Sequence, residues 1–319
     1  MNAEPRVTVL MPAYNAGKYI GEAIRSVLEQ DYSDYELLIV DDGSSDDTRK
    51  IIDGFRDGRI RVLIQENRGI SAALNAGLSE ARGYYIARFD ADDSCLPRRL
   101  SRQTAFLDAN PDYVLTGGEV EYMTEKGEHL FNYRCVAYSH QEILEKMERI
   151  CPFIHSSVMY KKKEVLQAGG YSPYAHNFED YLLWVKLETA GKFNNLRERL
   201  VRVRYNPASV TIDDKWRGRH FQKIKWGIIQ RGRVTEEEGL ALLDIIKSQD
   251  TRRVKEGSYH ALCGKKFLVD NYQPGKARGH ILKTIRLNPF RLDNYAILAA
   301  SFLPPGWIKW LHHVSNRKV

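Results

Sequence analysis

The chain has 319 residues, 43% of them hydrophobic and 28% charged, a folded composition that excludes disordered and fibrous classes. The formal net charge of +7 is divided unevenly. Residues 212–319 hold 21 Lys and Arg against 10 Asp and Glu, a net of +11, which leaves −4 for residues 1–211. No run approaches the ~20 apolar residues that span a bilayer. Glu4 and Pro5 lead straight into the apolar run 7–11 with no signal-peptide pattern, which predicts a cytoplasmic chain. Cys95, Cys135, Cys151 and Cys263 are scattered without a C-x-x-C pair, which fits reduced thiols and argues against a zinc site.

In chain order, residues 6–11 predict a strand, and 17–29 a helix through Ile20, Ile24, Val27 and Leu28. YELLIV (35–40) predicts a second, buried strand, 46–55 a helix, 60–64 a third strand, 71–81 a helix and 84–89 a fourth strand. Strand and helix alternating through short connections point to a parallel, doubly wound sheet. Beyond it, 113–122 predicts a strand, 141–149 and 178–190 helices, and 193–204 an extended segment. The remainder reads as helical, over 216–232, 235–247, 253–270, 274–287 and 293–302. The charge shift sets a boundary near Thr211, giving a domain over 1–211 and a basic helical region over 212–319.

In doubly wound sheets, ligands sit outside the carboxyl ends of the strands. Three polar clusters fall there: Pro12-Ala13-Tyr14-Asn15, Asp41-Asp42-Gly43-Ser44 and Asp90-Ala91-Asp92-Asp93. On extended backbone, Asp90 and Asp92 share a side. Unit charges ~4 Å apart repel by about 4 kcal/mol at an effective dielectric of ~20, and a divalent cation with its preference for hard oxygen ligands removes that repulsion. The alternative is an acidic loop or helix cap ahead of Pro97-Arg98-Arg99-Leu100. Asp42 reads either as an acceptor for a base or ribose or as part of a β–α turn capped by Ser44 or Ser45. Tyr14 offers an aromatic face for a base, or partial burial at a sheet edge.

VTVLMPAYNAGKYIGEAIRSVLEQDYSDYELLIVDDGSSDDT (7–48) and NRGISAALNAGLSEARGYYIARFDADD (67–93) resemble the opening of the family 2 glycosyltransferases through their D-x-D metal motif. HSSVMYKKKEVLQAGGY (155–171) and FEDYLLWVKL (178–187) resemble that family's acceptor-side segments. The likeness covers about the first 210 residues in order. It implies a GT-A fold, a Rossmann-like mostly parallel sheet flanked by helices, here with a helical C-terminal extension, and inverting hexosyl transfer. By position, Pro12, Tyr14, Asn15 and Asp42 would line the nucleoside pocket. Asp90 and Asp92 would serve ribose, diphosphate and a divalent cation (Mn2+ or Mg2+), with Asp92 the direct ligand and Asp93 assisting. Asp180 matches the family's catalytic base. Glu179 and Trp184 would lie on the acceptor side, with core packing the other reading of Trp184. Where many relatives carry a histidine this chain has Asn206, a weaker metal ligand, and His155 reads as structural or acceptor-side.

The implied donor is a nucleotide diphosphate sugar, a UDP-sugar first. The acceptor would be a growing glycan or a lipid-linked oligosaccharide in surface polysaccharide synthesis, and no nucleic acid is involved. Two other readings compete. A sugar-nucleotide nucleotidylyltransferase would need a glycine-rich basic loop after the first strand, which PAYNAGKYIG (12–21) does not supply. An inactive sugar-nucleotide-binding relative sits poorly with intact Asp90, Asp92 and Asp180. In the tail, NYAILAASFLPPGWIKWL (294–311) clusters Phe302, Trp307, Ile308, Trp310 and Leu311 near Lys309, His312, His313, Arg317 and Lys318. Such a segment either packs on the catalytic domain or makes peripheral contact with the inner face of a membrane.

Overall fold

The computed structural model describes residues 4–207, 217–249 and 251–308. The boundary near Thr211 and the end of the tail, with Lys309, Trp310, Leu311, His312, His313, Arg317 and Lys318, lie outside them. The chain forms two compact units. The first comprises Met1–Val120, Tyr133–Val203 and Gln222–Leu243; the second comprises Glu121–Asn132, Arg204–Phe221 and Asp244–Val319.

The first unit is built on β1 (Val7–Ala13), β2 (Tyr35–Asp41), β3 (Ile60–Ile64) and β4 (Tyr85–Arg88). β3, β2, β1 and β4 lie side by side, all parallel. Every residue of β1 and β2 is buried, as strands covered on both faces must be. α1 (Ile20–Leu28) buries Ile20, Ala23, Ile24 and Val27 at helical spacing. α2 (Thr48–Asp53) begins two residues later than its pattern predicts. The Asp46 carboxylate accepts the Thr48 N–H at 2.9 Å and so ends the loop there. α3 (Ile70–Glu80) completes this half.

β5 (Ser94–Cys95) and α4 (Arg99–Ala109) follow, then β6 (Tyr113–Met123), β7 (His129–Tyr133), α5 (His140–Met147) and a 3-10 turn at His155–Ser157. β8 (Met159–Lys161), α6 (Lys162–Gln167), α7 (Glu179–Leu187) and β9 (Lys192–Arg204) come next. β8 joins β4 antiparallel, and the order continues β8-β6-β9-β5. The sheet is therefore mixed, with its parallel half confined to the first four strands. α4, α6, β5, β7 and β8 have no strong period of their own in the sequence. α4 shows why: it buries Arg99, Gln103 and Thr104 among its few apolar contacts. Arg99 donates to the carbonyls of Arg88 (2.6 Å) and Val158 (3.1 Å), so it is buried but satisfied.

A second polar knot joins β1 to β2. Thr8 Oγ1 donates to Glu36 at 2.7 Å and accepts the Gly83 N–H at 2.8 Å. Arg61 and the Arg82 N–H also donate to Glu36, at 2.7 and 2.8 Å. Burial alone would raise the Glu36 pKa, but these donors outweigh it and hold it below the usual value. Gly83 is glycine because a Cβ there would lie 2.3 Å from the Thr8 nitrogen and 2.6 Å from the Val7 carbonyl carbon.

α8 (Arg219–Arg231) and α9 (Glu236–Ser248) precede α10 (Arg252–Val269), α11 (Pro274–Leu287) and α12 (Leu292–Ala300). Residues 222–243 belong to the first unit: Trp226 meets Tyr181 edge-on, with ring centroids 6.1 Å apart. The second unit packs Tyr259, Cys263 and Phe267 of α10 and Ala277 of α11 with Leu130 and Ile308. Within it, His260 and His280 meet Nδ1 to Nδ1 at 2.9 Å, so one ring donates to the other and both are neutral. Burial lowers both values, that of His280 to about 4, with the neighbouring histidine and Lys283 adding to it. Among the described residues no helix is long and apolar enough to cross a membrane.

Two outcomes follow from these contacts. Gly83→Ala should cost about 1–3 kcal/mol, the usual penalty of overpacking, read as a lower urea midpoint at unchanged slope. The histidine pair is uncharged when folded and more basic when unfolded, so its stabilisation is present above about pH 6.5 and is lost as pH falls toward the folded value near 4. Replacing both with leucine should flatten the melting temperature between about pH 7 and about pH 5 relative to the parent. Parallel curves would assign the acid sensitivity elsewhere.

Candidate active site

β1, β2 and β4 run in one direction in tight register, Ala13 beside Asp41 and Leu10 beside Arg88, so their carboxyl ends open on one edge. The three polar loops meet there. Pro12 is buried within β1 beside Val40, while Tyr14 stands exposed beyond the strand. Asn15 adopts a left-handed conformation, φ 48°, that asparagine tolerates better than most residues. Its N–H donates to Ser44 Oγ at 3.0 Å and its Oδ1 accepts the Ser45 N–H at 2.8 Å, tying the first loop to the second.

Asp42 is buried, and its partners come from the loop ahead of α3. Oδ1 accepts from Gln65 Nε2 at 2.6 Å and the Arg68 N–H at 3.0 Å; Oδ2 accepts the Gly69 N–H at 2.9 Å. Gly69 has φ +84°, which turns its N–H toward the carboxylate. Of about four acceptor positions on a carboxylate, three are thus engaged. Asp42 shapes the rim of the crevice by clamping this loop, a use the sequence does not signal.

Past β4, Asp90, Asp92 and Asp93 each bring an oxygen within 4.8 Å of the others. Asp93 is buried, and the other two are partly open. The Asp90 N–H donates to Ser156 Oγ at 3.2 Å, which fixes the start of the loop against the 3-10 turn. Arg88, buried at the end of β4, forms an ion pair with Asp90 through Nη1. Burial opposes its charge, but the attraction of Asp90 outweighs that and keeps the guanidinium protonated. Three clustered carboxylate oxygens, two of them on partly open side chains, are the ligand type that a hard divalent cation such as Mg2+ or Mn2+ prefers.

Glu179 and Asp180 open α7, where the helix N-terminus favours negative charge. Burial raises both carboxyl values, that of Glu179 to about 7, with the charge of Asp180 adding to it. Arg88 pulls both down and Asp90 pushes Glu179 up, so the start of α7 lies within electrostatic reach of the acidic loop. Asp180 Oδ1 accepts the Tyr181 N–H at 2.7 Å, and Oδ2 lies 4.0 Å from His155 Nδ1. His155 Nε2 bonds the Tyr171 hydroxyl at 2.9 Å, which in turn bonds the Tyr160 hydroxyl at 3.2 Å. Burial, then Arg88, depress the His155 pKa well below its ordinary value, so the ring is neutral. Trp184 is fully buried against Phe153, His155 and Tyr160 and presents no surface to an acceptor. Of its two readings, core packing is the one observed.

The chief residue that the sequence reading passes over is Arg88. Its signal was present: a lone arginine in the apolar strand YYIARF needs a buried partner, and the next acid on its side of the strand is Asp90. Asn206 belongs to the second unit, and residues 208–216 lie outside the described residues.

The sequence profile described as Glycosyl transferase family 2 matches residues 8–166, which includes all three loops and stops short of Asp180. An uncharacterized glycosyltransferase of Haemophilus influenzae is 31% identical over 231 residues, 70% of this chain and 84% of that one. The amylovoran biosynthesis glycosyltransferase AmsE of Erwinia amylovora is 29% identical over 222 residues, 68% of this chain and 81% of its own. In fold, the chain resembles S. aureus TarS 1–349 in complex with UDP-GlcNAc (TM-score 0.57, 16% identity, 92% of this chain and 91% of that one). It also resembles the mannosyltransferase PcManGT from Pyrobaculum calidifontis in complex with GDP-Man and Mn2+ (TM-score 0.54, 19% identity, 97% and 89%). Both neighbours have the GT-A fold, and so does this chain. With the loops, the acidic cluster and these matches in agreement, the chain is a glycosyltransferase and belongs to family 2.

Proposed function

We propose that this enzyme transfers a hexosyl group from a nucleotide diphosphate sugar, a UDP-sugar first, to a hydroxyl of a growing glycan or lipid-linked acceptor, with inversion and with a divalent cation. The observation that carries the reading is the gathering of Asp90, Asp92 and Asp93 within 4.8 Å of one another past the end of β4. The name of AmsE supports a polysaccharide acceptor, and the nucleotide sugars bound by TarS and PcManGT support the donor class. Four free cysteines support a reducing, cytoplasmic setting.

In this reading Tyr14 stacks on the base, while Pro12 and Asn15 shape the nucleoside pocket with the loop that Asp42 clamps. Asp92 and Asp90 hold the cation, with Asp93 behind them. Bound there, Mn2+ or Mg2+ would act as a Lewis acid toward the diphosphate leaving group. Arg88 holds Asp90 in position and adds a fixed positive charge. Asp180 takes the proton from the acceptor hydroxyl as the oxygen attacks the anomeric carbon opposite the leaving group. Its raised pKa makes it a stronger base than an exposed aspartate, and His155 beside it is neutral and adds no countercharge. Glu179, one residue earlier, lies on the acceptor side. Metal-dependent release of nucleoside diphosphate, measured over a panel of donors, tests the reading; release from none of them overturns it.

Two variants divide the roles. Asp92→Ala should abolish metal-supported binding of a UDP-sugar in calorimetry with manganese, while circular dichroism stays that of the parent; unchanged affinity would remove Asp92 from the site. Asp180→Asn keeps shape and hydrogen bonding but cannot accept a proton. Donor affinity should persist while single-turnover transfer falls by roughly 10² to 10⁴. Transfer within a few-fold of the parent would move the base elsewhere, Glu179 being the next candidate.

A further inference from the structure

α12 is apolar on its outward side as well as on part of its inward one. A helix on the surface of a soluble domain normally buries its apolar stripe and exposes its polar one. Here Asn294 and Ser301 are buried, and Asn294 Nδ2 finds no hydrogen-bond partner among the described residues. Leu292, Tyr295, Ala296, Ala299 and Phe302, spaced i, i+3, i+4, i+7 and i+10, all face solvent. Leu292 is 77% exposed and Phe302 71%. Phe290 just before the helix is 95% exposed, and Trp307 just after it 61%. Ile308 is buried in the core of the second unit, and Ile297 and Ala300, partly buried, pack against it, which fixes the opposite side of the helix. Contiguous exposed apolar surface of this kind marks an interaction site.

The surrounding charge identifies the occupant. From 274 to 308 the bases are Lys276, Arg278, Lys283, Arg286 and Arg291, against the single acid Asp293. Lys283 and Arg286 are exposed on α11, on the face that carries exposed Leu282 and leads to Phe290. The Arg278 guanidinium lies 4.8 Å over the Phe302 ring, which sets positive charge beside the apolar stripe. Between Asp293 and Ile308 there is no charged residue at all. A two-fold pairing with a second copy would bring the same cations face to face. An aromatic and aliphatic stripe flanked by bases instead suits a surface that is apolar within and anionic at its rim.

We infer that the outward face of α12, with Phe290 and Trp307 at its ends and Lys283 and Arg286 beside it, docks in the interface of an anionic lipid bilayer. Leu292 and Phe302 enter the acyl boundary, and the α11 bases meet headgroup phosphates. The inference deepens the lipid-linked acceptor proposed above and rests on that reading for its role. Vesicle binding is read without donor or transfer, so its failure and the failure of the transferase reading are separate results.

The full chain is sedimented with vesicles of phosphatidylcholine alone and with vesicles that also contain phosphatidylglycerol. Binding should require the anionic lipid and weaken as salt rises, since exposed charges are screened beyond ~8 Å at physiological ionic strength. Lys283→Glu with Arg286→Glu should weaken partitioning by roughly 10-fold or more. Leu292→Gln with Phe302→Gln should abolish it even at low salt. All four positions are exposed, and circular dichroism checks that each variant is folded. If one pair unfolds, the other decides. Equal sedimentation of parent and variants overturns the proposal. So does a parent that ignores anionic vesicles but forms a dimer by light scattering that the Leu292/Phe302 pair dissolves.

Discussion

The architecture of the site depends on the ion pair between Arg88 and Asp90. Carboxylates clustered as Asp90, Asp92 and Asp93 are would repel by several kcal/mol at an effective dielectric of ~20. A buried arginine is itself costly without a partner. Each cost is reduced by the other: Asp90 holds Arg88 charged in an apolar strand end, and Arg88 makes the acidic loop tolerable when no cation is bound. The guanidinium is anchored by position, because β4 lies between β1 and β8 and its end cannot move independently. The Arg88 carbonyl is occupied as well, by Arg99 from α4.

The same charge reaches α7. It lowers the carboxyl values of Glu179 and Asp180 and depresses His155, although burial dominates all three. One buried cation therefore acts on both the acidic loop and the start of α7. The neutral chain from His155 through Tyr171 to Tyr160 supports Asp180 from below without supplying a countercharge. Trp184 packs against two of its members and holds the His155 ring in place. Burial in this packing raises the Asp180 carboxyl value, the shift that the proposed role as base would use.

The second unit follows a different logic. Its core is aromatic and joins Tyr259 and Phe267 of α10 to the β6–β7 hairpin and to the last described residues. Against that core α12 places Asn294 and Ser301 together with Ile297 and Ala300, and it leaves a second apolar stripe outward, a waste of burial unless the outer face has a partner. The basic balance of the region, visible from composition alone, acquires a location here: Lys283 and Arg286 are exposed on α11, and Arg278 of the same helix lies over the Phe302 ring.

The amino-acid sequence by itself determined the parallel half of the sheet, because β1 and β2 are continuous apolar runs and α1 repeats its apolar residues at helical spacing. It also placed the three polar clusters at the carboxyl ends of β1, β2 and β4, since each directly follows an apolar strand run. The helices of the C-terminal region were legible for the same periodic reason. Tertiary structure alone decided the rest. β8 and α4 are specified by partners distant in sequence, and Arg99 reads as a surface residue until Val158 and the Arg88 carbonyl are placed around it. That Asp42 also clamps the Gln65–Gly69 loop is seen only once that loop is placed beside it. The direction faced by the apolar residues of α12 is also tertiary. Periodicity states that a helix has an apolar side, but only packing selects which side the core accepts.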